Sequence, residues 1–97
     1  APAGERHAWH LYVVRLGDVP VTRDVFIERL YASGIGCSVH YIPLHLHPYW
    51  RDTFGLRAEM FPESQAAFER MVSLPIYSRM TDDDVRKVID GVTAALR

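Results

Sequence analysis

Lysine is almost absent from this chain: Lys87 stands alone, and every other basic side chain apart from the histidines is arginine. A single cysteine, Cys37, excludes an internal disulfide and suits a reducing compartment. Eleven basic residues against twelve acidic ones leave a formal charge of −1. No clustered basic stripe exists of the kind that releases counterions from nucleic acid. No apolar run approaches the ~18 residues of a membrane span. Residues 1–6 lack the basic-then-apolar build of a secretion signal. These absences point to a cytoplasmic protein that binds neither nucleic acid nor membrane.

What remains is ordinary globular composition in a chain of 97 residues, 48% hydrophobic and 24% charged. That length holds one domain and one core, hiding roughly 60–68% of the surface exposed by the unfolded chain. Histidine is the bias. His7 and His10 form one close pair, His45 and His47 another, and His40 lies near the second.

Residues 1–6 read as a linker. Residues 9–16 (Trp-His-Leu-Tyr-Val-Val-Arg-Leu) carry the aromatic and β-branched signature of a strand, apolar on both faces and hence central. His10 on that strand reads as a hydrogen-bonded core residue. Thr22 caps a helix to about Ser33, with Phe26, Ile27, Leu30 and Tyr31 as its buried stripe. Gly34 then serves as the left-handed stop, with Ile35 closing a Schellman-type contact. A second strand over 37–42 ends at Pro43. Residues 45–56 are irregular, with one short helical turn. Pro62 opens another helix whose apolar face is Ala67, Phe68, Met71 and Val72. Residues 74–77 form an edge strand. Thr81 and Asp84 make a capping box for a last helix, buried through Val85, Val88, Ile89, Val92 and Leu96, with Arg86, Lys87 and Asp90 outward. The expected fold is α+β in two layers: about three strands, antiparallel or mixed, covered by helices.

The chemistry-rich stretch is 34–51, where His40, Tyr41, His45, His47, Tyr49, Trp50 and Arg51 follow Gly34 and Gly36. Buried, each imidazole and phenol needs a partner. Presented to a ligand, the same groups suit sugar hydroxyls and phosphates. Tyr49 and Trp50 equally suit a plug between sheet and helices, and His45 and His47 equally suit solvated loop positions. On a regular strand His40 and Tyr41 point to opposite faces, so both reach one pocket only if the strand ends there. His40, His45 and His47 offer three nitrogens to zinc, yet no CxxC or HExxH accompanies them. Cys37 reads as a small core residue, and Ser38 and Ser73 have no visible Ser-His-acid frame.

Gly34-Ile35-Gly36 through Val39-His40-Tyr41-Ile42-Pro43-Leu44-His45, then Tyr49-Trp50-Arg51, resembles the C-terminal region of the DegT/DnrJ/EryC1/StrS sugar aminotransferases. Trp9-His10-Leu11-Tyr12-Val13-Val14, Phe61-Pro62-Glu63, Ser73-Leu74-Pro75-Ile76 and Met80-Thr81-Asp82-Asp83-Asp84-Val85 extend the resemblance in the same order. It implies that residues 7–97 are the small C-terminal domain of a homodimeric enzyme dependent on pyridoxal phosphate (PLP). Such enzymes move an amino group, commonly from glutamate, onto a keto-sugar nucleotide or cyclitol. It further implies that His40 and Tyr41, with His45, lie on the substrate side. The resemblance also implies that the catalytic lysine and cofactor site belong to a large domain not represented here; Lys87, on an outward helix face beside three aspartates, does not substitute for that lysine. This piece is then inactive by itself and binds neither cofactor nor metal. The rival is a free-standing module that uses the His-rich loop for a metal or small ligand; a purely structural contact domain is a third reading.

Overall fold

The computed structural model describes residues 2–97; Ala1, first residue of the expected linker, lies outside the described residues. Among them the order is β1 (Tyr12–Arg15), α1 (Arg23–Ala32), a 3₁₀ turn (Leu44–Leu46), α2 (Pro48–Phe54), a second 3₁₀ turn (Ala58–Met60), α3 (Pro62–Arg70), β2 (Met71–Leu74) and α4 (Asp82–Ala95). The architecture is α+β, a small antiparallel sheet with helices packed around it.

β1 and β2 run antiparallel, with Tyr12 opposite Leu74 and Arg15 opposite Met71. The strand expected over 37–42 contracts to one bridge, in which Ser38 and Ser73 exchange backbone bonds of 3.1 and 2.7 Å. β2 is therefore the middle element, with β1 on one side and Ser38 on the other. Two sequence expectations change accordingly. The first strand begins at Tyr12, because Trp9 has a φ of 49° that no strand accommodates; Tyr12 and Val13 face solvent, and His10 is exposed. The later strand is 71–74 rather than 74–77. Met71 has already turned extended, at φ −86° and ψ 141°, so Met71 and Val72 belong to the sheet and not to a helix stripe.

The helix ends follow local chemistry. Thr22 Oγ1 accepts from the Val25 amide at the start of α1. At its far end Gly34, at φ 70°, lets its own N–H reach the Tyr31 carbonyl and the Ile35 N–H reach that of Leu30, both at 2.9 Å. That turn drives Ile35 into the core against Gly91 of α4, where a side-chain methylene at position 91 would overlap it. Thr81 and Asp84 bond reciprocally at 2.9 and 3.2 Å to start α4. The backbone and hydroxyl bonds from Thr81 hold the Asp84 carboxyl below its ordinary pKa.

Leu16, Phe26, Leu30, Ile35, Cys37, Val72 and Ala95 form the core between β2, α1 and α4. Phe26, Leu30 and Val72 are fully enclosed, each worth about 1.5–3 kcal/mol of burial. Two arginines tie helices across it. Arg29 donates to the Ala95 carbonyl at 2.9 Å, a cation at the negative end of α4. Arg23 donates to the Phe68 carbonyl of α3 and stands 4.7 Å from that residue's ring centre. Tyr31, expected in the buried stripe, is exposed and instead donates its hydroxyl to the Cys37 carbonyl at 3.0 Å.

Candidate functional site

Once past the Ser38 bridge the chain leaves the sheet, and this departure brings His40 and Tyr41 together. Their rings meet edge-on, centres 4.8 Å apart at 77°, across a cis peptide bond. With the two rings in contact, the opposite-face geometry of a regular strand does not apply. Tyr41 is 71% exposed. His40 is half-buried, with Nδ1 2.9 Å from Ser73 Oγ on β2. His40 Nε2 has no partner among the described residues, and no deeply buried side-chain nitrogen or oxygen there lacks one. Nε2 therefore meets solvent. The pair offers a phenol and an imidazole nitrogen side by side, groups that bind hydroxyl and phosphate oxygens.

His45 is placed differently. It is buried, lies flat on Phe61 with ring centres 5.0 Å apart at 16°, and its Nε2 is 2.9 Å from Gln65 Oε1. Gln65 in turn donates its amide nitrogen to Glu69 at 2.7 Å. That carboxylate sets the Gln65 amide orientation, so its oxygen faces His45 and the proton sits on His45 Nε2. His45 thus fastens the first 3₁₀ turn onto α3. His47 donates from Nε2 to the Ile42 carbonyl at 3.0 Å and closes the same loop. Among the described residues no three His, Cys, Asp or Glu side chains form a group able to hold a metal ion. The zinc arrangement of His40, His45 and His47 is therefore not brought together, since each ring is engaged elsewhere.

Tyr49 and Trp50 do not plug the interior. Tyr49 is 69% exposed, and Trp50 stacks on Phe54 one helical turn along, also at the surface. The ridge starts from Pro48 as the first residue of α2 and stops at Gly55 with φ 61°.

A groove of about 490 Å³ lies elsewhere, between the sheet and α4, lined by Tyr12, Leu74, Ile76, Val85, Ile89 and Val92 among others. It has few polar groups to orient a sugar or phosphate. A smaller hollow of about 190 Å³ holds Lys87, Asp84, Tyr77, Gly34 and Gly36. It does not fit PLP. Lys87 is exposed with Nζ 3.5 Å from the Gly34 carbonyl, whereas a lysine that bonds a carbonyl carbon needs a desolvated pocket. The adjacent start of α4 is already taken by the Asp84 carboxylate, which repels a phosphate.

Ser73 has no Ser-His-acid frame in the sequence, and the structure joins its hydroxyl to His40 instead. A signal was present: a hydroxyl in an otherwise apolar strand, Met71-Val72-Ser73-Leu74, must find a partner once buried.

The match to known proteins runs through these same elements. The DegT/DnrJ/EryC1/StrS aminotransferase family matches residues 1–93, and the chain belongs to that family. The uncharacterized protein MJ1066 of Methanocaldococcus jannaschii is 49% identical over 89 residues. SpsC of Bacillus subtilis, a spore coat polysaccharide biosynthesis protein, is 46% identical over 90. Each alignment covers 90% of this chain and 23% of the relative. Among solved structures, the aminotransferase TlmJ of Streptoalloteichus hindustanus superposes with a TM-score of 0.81 at 35% identity, over 98% of this chain and 24% of its own. Spr1654 of Streptococcus pneumoniae, solved in a PLP form, gives 0.80 at 28% identity over 89% and 22%. The chain spans about a quarter of the length of the proteins it matches.

Proposed function

We propose that this chain is the C-terminal domain of a PLP-dependent aminotransferase that aminates a keto-sugar nucleotide, or a related cyclitol, with glutamate as donor. The full enzyme works as a homodimer in the cytoplasm, and its cofactor is held by residues outside this chain. Spr1654 in its PLP form and the name of SpsC support that reading. So does the poor fit of the Lys87 hollow to a cofactor.

The carrying observation is the His40–Tyr41 pair, two polar rings in contact at the surface where the chain leaves the sheet. Their part is to bind and orient the sugar nucleotide through hydrogen bonds, a positioning contribution made before any bond changes. His45 acts on the same site through structure, since its bond to Gln65 holds the loop that follows Tyr41. The domain alone is inactive.

The test separates the two half-reactions in the longer polypeptide that carries this domain. His40→Ala should slow amino transfer to the sugar acceptor at least about tenfold, equivalent to about 1.4 kcal/mol, while transfer from glutamate to the cofactor stays near its original rate. Equal losses in both halves would reduce His40 to a structural role.

A further inference from the structure

We infer that Ser73 is a positioning residue that sets how His40 presents its imidazole. Ser73 is buried, its backbone N–H and C=O are committed to Ser38, and its hydroxyl has one partner among the described residues, His40 Nδ1 at 2.9 Å. A hydroxyl has a single hydrogen, and a buried one left without an acceptor is costly. If His40 donated from Nδ1, the Ser73 hydrogen would have no acceptor among these groups. Ser73 therefore donates and Nδ1 accepts, which leaves the ring proton on Nε2, across the ring and open to solvent. A donor N–H in that place fits an acceptor oxygen, as on a phosphate or a sugar hydroxyl, and does not fit a cation.

Ser73 can hold that ring firmly because β2 is the middle of the sheet, paired with β1 on one side and bridged to Ser38 on the other. The two residues are 33 positions apart, so the sheet and not the local loop fixes the imidazole. The functional weight of this contact rests on the aminotransferase reading; the hydrogen bond itself does not.

Two measurements separate them. The first uses the 97-residue chain labelled with ¹⁵N-histidine, at a pH above the ordinary imidazole range. His40 should show its proton on Nε2 and a hydrogen-bonded Nδ1. With the amide spectrum otherwise retained, Ser73→Ala should move Nδ1 toward the free-imidazole position, and Ser73→Thr should return it. A proton on Nδ1 in the unaltered chain, or no change in Ser73→Ala, overturns the inference. The second uses the longer polypeptide. Ser73→Ala should raise KM for the sugar acceptor about fivefold or more with the glutamate half-reaction unchanged, and Ser73→Thr should restore it. A shifted spectrum with both half-reactions lowered equally overturns the positioning role and leaves the aminotransferase reading intact. A shifted spectrum in a protein with no transfer from glutamate at all overturns the aminotransferase reading and leaves the hydrogen bond intact.

Discussion

The two ends of α4 live in different surroundings. Its C-terminal end is sealed: Ala95 is buried, Leu96 packs on the core, and Arg29 caps the carbonyl end from α1. Its N-terminal half carries the same apolar stripe into the open groove, where Val85 is 41% and Ile89 57% exposed. One amphipathic helix thus serves a finished interior and an unfinished one. The lesson is that a regular stripe says which residues avoid water, not which neighbour covers them.

The sharpest way to break this comparison is to empty the sealed side. Leu30→Ala should cost about 2–5 kcal/mol in a denaturant titration, since Leu30 is fully enclosed. At Gly34, a side chain must adopt φ 70° and meet Lys87 Nζ at 3.4 Å; Gly34→Ala should cost about 1–2 kcal/mol. Thr81→Ala removes the cap of α4 and should cost about 1 kcal/mol in the same assay. That loss should shrink in acid. Asp84 has a lowered folded pKa, so its contribution is present above the ordinary carboxylate pKa and disappears as pH falls through the folded value. Smallest of all, Ile89→Ser in the groove should fall within about 0.5 kcal/mol. A loss at Ile89 equal to that at Leu30 would mean that the groove is closed in solution, and the contrast would vanish.

The sequence was most legible where one residue decides a backbone event. Thr22, Gly34, Pro62 and the Thr81–Asp84 box mark helix ends through local chemistry, and each does so in the structure. It was least legible where two patterns share residues. Met71 and Val72 continue the apolar spacing of α3 and are equally good strand residues; pairing with β1 decides between them. The strand expected over 37–42 shortens for a related reason, because only Ser38 of its residues meets the ladder. Within the candidate site, the richness of 34–51 was visible, but the fate of each histidine was not. His45 depends on Gln65, 20 positions away, and His40 on Ser73, 33 away, and no spacing rule reaches that far.

The central claim is that this chain supplies groups on the substrate side and leaves the cofactor chemistry to residues elsewhere. Its most direct test is to incubate the purified 97-residue chain with PLP, pass it through gel filtration and read the absorbance of the protein peak. The account predicts that no cofactor band travels with the protein, and that Lys87→Arg changes nothing. A one-to-one band that vanishes in Lys87→Arg would contradict it.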